Sequence, residues 1–136
     1  MVAWIATVQI FASGSFAASE TSRFIGPLLR WLFPAADPAS VEGAHFAIRK
    51  AAHFVEYAIL ALLALRAFRL SFERPLAQLG AASLALVLAV AVVDEWRQAV
   101  SADRTGALSD VALDFSGAAS ALVLVGAFRQ LWSVRT

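Results

Sequence analysis

Long apolar runs separated by short polar segments dominate the pattern of this chain of 136 residues. Three runs are clear, at about 50–69, 76–94 and 110–128, and a weaker one lies at about 2–17. A helix needs ~20 residues to cross a hydrocarbon core that is about 30 Å thick. Because the runs are continuous rather than alternating, they favour helices over strands. We predict an all-α, polytopic membrane protein, in which residues 1–136 form one domain with a four-helix transmembrane bundle.

The first run allows two interpretations. Thr7, Gln9, Ser13 and Ser15 interrupt it, and small residues follow it. A cleaved signal peptide has small residues after its apolar part, but it also has basic residues before that part, and none precedes this run. We expect a retained helix and keep a cleaved signal peptide as the alternative.

The segment between the first two runs carries helix signals of its own. Its apolar residues recur at helical spacing beside Arg23 and Arg30; they are Phe24, Ile25, Leu28, Leu29, Leu32 and Phe33. This pattern predicts a short interfacial helix that lies on the lipid headgroups. Asp37 followed by Pro38 is typical of a helix start, with Asp as the N-cap and Pro at the first helical position. A helix that starts there could run through His45 into the second span.

Composition excludes several classes of protein. Hydrophobic residues make up 60% of the chain and charged residues only 15%, against about 25% charged in soluble domains. These values exclude a disordered chain, a soluble enzyme and a nucleic-acid binder. The net charge of +1 provides no broad field for attracting a polyanion. The chain has no cysteine, so disulfides and thiolate metal sites are excluded, and no motif predicts a cofactor.

Polar residues collect at the span ends that an antiparallel arrangement places on one membrane face. They are Lys50, His53, Glu56 and Tyr57 at the start of the second span, Asp94, Glu95 and Gln98 at the end of the third, Arg104 in the following loop, and Asp110 and Asp114 at the start of the fourth. Ionisable groups at this depth are costly and normally face the bundle interior or water. Gly117, beneath Asp114, would let a neighbouring helix approach closely. We predict a polar pocket that opens to one membrane face and is closed below by apolar packing.

Several interpretations of these polar residues stay open. One is an acid/base set for catalysis, formed by His53, Glu56, Asp94 and Glu95. Another is a binding site in which Lys50 and Arg104 hold a phosphate or carboxylate. In that site Tyr57, Gln98, Asp110 and Asp114 would orient the other groups. The third is an interhelical ion-pair network that only fixes the order of the helices.

A metal site and a proton pathway are weaker alternatives. The carboxylates could hold a divalent ion, but Lys50 and Arg104 oppose a cation, so we predict no metal. Proton-coupled transport would require a polar path below Asp114, and the third and fourth spans show almost none.

Two stretches resemble a known family. The run Arg49-Lys50-Ala51-Ala52-His53-Phe54-Val55-Glu56-Tyr57 resembles the Arg-Lys-x-x-His-Phe-x-Glu-Tyr signature of VanZ-like membrane proteins. Asp94-Glu95-Trp96-Arg97-Gln98, followed by Arg104, Asp110, Asp114 and Gly117, resembles the second half of that pattern. The chain departs from the pattern at Val100, where the family often has an aromatic residue, and at Asp103, where it often has Gly.

The resemblance covers nearly the whole chain and implies a four-span protein of the bacterial cell envelope. The family's namesake is associated with low-level resistance to the lipoglycopeptide teicoplanin, and some relatives occur beside genes for surface polysaccharides. No reaction follows from the resemblance, so whether the protein is an enzyme stays open. The proposed ligand is an anionic or zwitterionic envelope component.

Orientation and partners complete the expectations. The basic residues divide almost evenly between the two sides, but the short loop between the second and third spans carries Arg66, Arg69 and Arg74. The positive-inside rule then predicts that both termini lie in the cytoplasm. The resemblance to the VanZ-like family implies that the protein is a multi-pass protein of the bacterial inner membrane. We expect a membrane lipid or a lipid-linked envelope component as partner, and no nucleic acid. A membrane-protein partner and a homo-oligomer also stay open.

Overall fold

The computed structural model describes residues 18–100 and 108–133. In this part the chain forms four α-helices, which are α1 (Ala18–Leu32), α2 (Pro38–Ser71), α3 (Leu76–Val100) and α4 (Leu108–Ser133). The all-α prediction is confirmed for these residues. The expected first span, at about 2–17, lies outside the described residues, so the four-span bundle stays a prediction.

Three of the helices are long and apolar enough to cross a membrane. The stretches that qualify are Pro38–Ser71 in α2, Leu76–Trp96 in α3 and Leu108–Gln130 in α4. Less than a third of each apolar stretch is buried inside the protein. Most of the apolar surface is therefore available to lipid, as expected for helices whose backbone hydrogen bonds are satisfied internally.

The start of α2 is set by Asp37 and Pro38, as the sequence predicts. The Asp37 side chain accepts a hydrogen bond from the Ser40 backbone N–H at 2.9 Å and another from the Ser40 hydroxyl at 2.6 Å. The hydrogen bond from the Ser40 hydroxyl, and to a smaller extent the one from its backbone N–H, hold the pKa of the Asp37 carboxyl below its usual value. Pro38 occupies the first turn, where its missing N–H costs nothing. From there α2 continues without a break through His45 to Ser71.

Helix α1 is strongly amphipathic and contacts α2. Leu29 is buried, whereas Leu28, Leu32 and Trp31 are exposed, Trp31 by 77%. The predicted helix in this segment is confirmed. Its position on the lipid headgroups stays a prediction.

The buried core lies where α2, α3 and α4 meet. It consists of Tyr57, Leu60 and Ala61 from α2, Val87 and Ala91 from α3, and Ala118 from α4. Alanine on each helix lets the three backbones approach closely. Helix α2 packs more extensively against α4 than against α3. Tyr57, the innermost of the predicted site residues on α2, is therefore itself part of this core.

Candidate functional site

Three pairs of polar side chains join α2 to its neighbours. We call them the three-pair cluster: Lys50 with Asp110, His53 with Asp114, and Tyr57 with Asp94. The residues at 50, 53 and 57 lie three and four positions apart and so share one face of α2. Along α2 from residue 50 to residue 53, the partner on α4 advances from residue 110 to residue 114, so these two helices run parallel. Helix α3, which connects them in the chain, runs antiparallel to both. The middle of α2, from Lys50 to Tyr57, therefore meets the last part of α3 at Asp94 and the start of α4 at Asp110 and Asp114. These three segments of the predicted second, third and fourth spans come together as predicted, although α2 itself begins about three turns before Lys50.

The outermost pair is Lys50 and Asp110. The Lys50 Nζ forms an ion pair with Asp110 Oδ1, and the two side chains are 25% and 20% exposed. Asp110 also accepts a hydrogen bond from the Ser109 hydroxyl at 3.2 Å, and Lys50 Nζ lies 5.2 Å from the centre of the Phe46 ring. Lys50 therefore has a carboxylate partner and an aromatic face, while its charge stays accessible from outside.

The middle pair is His53 and Asp114. The His53 Nδ1 lies 3.4 Å from Asp114 Oδ1, and the side chains are 20% and 4% exposed. Both atoms are buried and neither makes a hydrogen bond within the described residues. The imidazole lies parallel to the Tyr57 ring with 6.5 Å between ring centres. An imidazole beside a carboxylate can hold and pass on a proton, because the carboxylate orients the ring and favours its charged form.

The innermost pair is Tyr57 and Asp94, and it is fully buried. Tyr57 is 0% and Asp94 2% exposed, and the tyrosine hydroxyl donates to Asp94 Oδ2 over a long 3.5 Å. From Lys50 to Tyr57 the α2 axis advances about 10 Å, so exposure falls to nothing over that depth. Leu60 and Ala61 follow directly and are also fully buried. The predicted apolar closure below the polar residues is confirmed.

Gly117 fixes how closely α2 and α4 approach. A Cβ placed on Gly117 would meet the backbone carbonyl of Phe54, 3.0 Å from its carbon and 3.2 Å from the Phe54 Cα. Only glycine leaves room for this backbone, which lies one residue beyond His53. The close approach predicted from Gly117 is therefore confirmed, and it brings His53 and Asp114 together. Gly126, on the same helix, has open space around it.

Four of the predicted site residues do not belong to the three-pair cluster. Glu56 and Glu95 are half-buried and adjoin cluster residues along α2 and α3. Arg104 and the Gln98 side chain lie outside the described residues. Sequence reasoning missed Phe46 and Ser109, whose only signals are their positions four residues before Lys50 and one before Asp110.

The described residues contain no group of three or more His, Cys, Asp or Glu side chains placed to hold a metal ion. The side chains of the three-pair cluster themselves offer ion pairing, hydrogen bonding and proton exchange.

Comparison with known proteins identifies a family. A family model described as VanZ/LLP1 matches residues 2–129. No curated protein and no solved structure matches the chain. The matched range includes all six residues of the three-pair cluster.

Proposed function

Because this chain belongs to the VanZ/LLP1 family, we propose that it works in the bacterial inner membrane on the cell envelope. In this proposal the three-pair cluster binds the anionic or zwitterionic part of an envelope component. The ligand is a membrane lipid or a lipid-linked saccharide or peptide. The resulting role is in lipoglycopeptide resistance or in surface-polysaccharide processes.

The observation that carries the proposal is the middle pair. Buried polar atoms are normally hydrogen-bonded, and leaving one unsatisfied costs about 1–3 kcal/mol. His53 Nδ1 and Asp114 Oδ1 are buried, face each other and make no hydrogen bond within the described residues. A network selected only to hold helices together would satisfy both atoms. A polar ligand group, or a proton delivered with it, would satisfy them here.

The outer pair suits entry of a charged headgroup. Lys50 and Asp110 are partly exposed and of opposite charge. The two charges of a zwitterionic headgroup could therefore replace the ion pair, each binding the side chain of opposite charge. Its phosphate or carboxylate would bind Lys50, and its ammonium would bind Asp110. An anionic ligand would use Lys50 in the same way. In this proposal Arg104 and Gln98 complete the ligand contacts.

Below the headgroup the cluster would control protonation. His53 would exchange a proton with the ligand while Asp114 holds its ring, and Tyr57 with Asp94 would close the site. Glu56 and Glu95 belong to the same proposed acid/base set. Whether a bond in the ligand is then made or broken is a separate hypothesis, for which His53 is the first candidate.

A structural role is the second candidate, and one observation favours it. Each of the three pairs joins α2 to another helix, as an ion-pair network for a non-enzymatic scaffold or accessory subunit would. Such a network should be needed for folding and not for any ligand. The two candidates therefore differ in what the loss of one member does to the folded protein.

The experiment expresses the protein in a glycopeptide-susceptible Gram-positive host and measures teicoplanin susceptibility and membrane level together. The variants are His53→Gln and Asp114→Asn, which keep side-chain size, with Gly126→Ala as the control. For a binding site we expect wild-type protein and Gly126→Ala to raise the inhibitory concentration, and both site variants to lose that effect at normal membrane level. Site variants that vanish from the membrane would support the scaffold. Site variants that keep full resistance would contradict the binding site.

A further inference from the structure

The end of the protein opposite the three-pair cluster carries a group of arginines. We call it the arginine end: Arg66 and Arg69 on α2, Arg74 before α3, and Arg129 on α4. All four side chains are exposed. Within the described residues none of them makes an ion pair or a side-chain hydrogen bond. Four guanidinium groups without a partner among the described residues therefore leave this end of the protein positively charged.

An apolar groove between α2 and α4 leads away from this end. It has a volume of about 490 Å³ and is lined by Leu62, Leu65, Arg66, Arg69, Leu70 and Val125. The leucines and the valine form its walls, and the two arginines lie on α2 at its polar end. From Arg69 to Leu62 the axis of α2 advances about 10 Å into the membrane. The groove is therefore long enough for a substantial part of an acyl chain.

A second recess adjoins the groove at Arg69. Its volume is about 480 Å³, and it is lined in part by Glu73, Arg74, Leu79 and Arg129. Arg69 lines both spaces, so it stands where the apolar groove meets a polar recess. Glu73 is the one acid lining the recess, against the three arginines of its rim. The charge around the recess is therefore positive overall.

We propose that the arginine end is a binding site for an anionic phospholipid. The headgroup phosphate binds Arg69, flanked by Arg66 and Arg129, and one acyl chain lies in the groove along Leu65, Leu62 and Val125. Guanidinium groups bind phosphate through paired hydrogen bonds, and basic pockets between membrane helices suit anionic headgroups. The apolar groove selects a lipid over a free phosphate, and the excess of positive charge selects an anionic lipid over a zwitterionic one.

This site is separate from the one proposed above. It uses no residue of the three-pair cluster and lies at the C-terminal end of α2, beyond Tyr57 and the buried core. Loss of lipid at the arginine end would leave the cluster intact, and His53→Gln should leave lipid binding at the arginine end unchanged. The two proposals can therefore fail independently.

The experiment titrates the detergent-solubilised full chain with phosphatidylglycerol and counts bound lipid by native mass spectrometry. Phosphatidylcholine is the zwitterionic comparison, and glycerol phosphate tests the headgroup alone. We expect Arg69→Gln to weaken phosphatidylglycerol binding at least tenfold. Arg30→Gln removes the same charge from an exposed position on α1 and should leave the affinity unchanged. If Arg69→Gln fails to fold, Arg129→Gln gives the same test from α4.

A second variant tests the acyl-chain part of the proposal. Val125→Phe fills the groove and keeps every arginine, so we expect severalfold weaker phosphatidylglycerol binding, with unchanged helix content by circular dichroism. Equal weakening by Arg69→Gln and Arg30→Gln would overturn the proposal, because it would mean unspecific charge attraction. If Arg69→Gln weakened phosphatidylcholine binding as much as phosphatidylglycerol binding, or if glycerol phosphate bound as strongly as the lipid, the proposal would be overturned too.

Discussion

Substitution of Gly117 by alanine gives the sharpest test of how α2 and α4 pack. The added methyl carbon would lie 3.0 Å from the Phe54 carbonyl carbon and 3.2 Å from its Cα, against about 3.5–4.0 Å for ordinary carbon contacts. Backbone atoms cannot rotate out of the way as a side chain does. The two helices must therefore separate, and such overpacking costs about 1–3 kcal/mol.

Gly126→Ala is a matched control on the same helix. Alanine favours a helix over glycine by about 1 kcal/mol at either position, and nothing lies within 4 Å of a Cβ at Gly126. The propensity gain is common to both variants, so their difference measures the clash alone. We expect Gly117→Ala to be about 1–3 kcal/mol less stable than Gly126→Ala.

The assay is reversible unfolding in mixed detergent micelles, followed by circular dichroism. Gly117→Ala should also increase the distance between His53 and Asp114, which two spin labels at nearby exposed positions of α2 and α4 would report. Equal stability of Gly117→Ala and Gly126→Ala would refute the close approach of α2 to α4 at Phe54.

Three further predictions concern single contacts. Tyr57→Phe removes the hydroxyl that donates to Asp94, and because Asp94 is buried we expect a loss of about 1 kcal/mol of stability, measured by the same unfolding assay; an unchanged midpoint would contradict that bond. Lys50→Met leaves Asp110 without its cation, so it should destabilise more than Lys50→Met combined with Asp110→Leu, and a double variant less stable than the single one would contradict the pair. Asp37→Ala should lower the thermal midpoint by removing the cap of α2. Because the folded-state pKa of Asp37 is lowered, the stabilisation by the cap is present above the unfolded-state pKa near 3.8 and is lost as pH falls below it. Wild type and Asp37→Ala should therefore converge in acid, and a constant difference down to pH 2 would contradict the cap.

The helix boundaries show what local sequence determines. Asp37 and Pro38 predict the start of α2 correctly because a capping carboxylate and a fixed proline φ act within a single turn. The apolar run predicts the end of the third span near residue 94, whereas α3 continues to Val100. Polar residues extend a helix into the headgroups as readily as apolar ones, so hydropathy marks the lipid-facing stretch and not the helix end.

The pairings show what local sequence leaves undetermined. The shared face of Lys50, His53 and Tyr57 is predictable, because 3.6 residues per turn fix their relative directions within α2. Which acid meets which partner depends on the rotation and axial shift of α3 and α4. From the sequence we grouped His53 with Glu56, Asp94 and Glu95, whereas the structure places Asp114 3.4 Å from His53. The sequence likewise predicts that Lys50 and Arg104 together hold the phosphate or carboxylate of a ligand, whereas in the structure Lys50 forms an ion pair with Asp110.

The role of Gly117 is only partly determined by local sequence. A glycine beneath an intramembrane acid predicts a close helix approach, and the structure confirms it. The atom approached, the Phe54 carbonyl oxygen, carries no sequence signal because every residue has one. The arginine end is similar, since its arginines are plain in the sequence but the groove beside Val125 depends on how α2 and α4 pack.

The most direct test of headgroup binding by the three-pair cluster is an NMR titration of the two histidine side chains of this chain, His45 and His53. The protein would be labelled at histidine in micelles and titrated with a short-chain phosphatidylethanolamine, whose headgroup is zwitterionic. If the three-pair cluster binds such headgroups, the His53 signal will shift to saturation, the His45 signal will stay in place, and Lys50→Met will abolish the shift. Equal shifts of both histidines, or a His53 signal that does not respond, would contradict a headgroup site built from α2, α3 and α4.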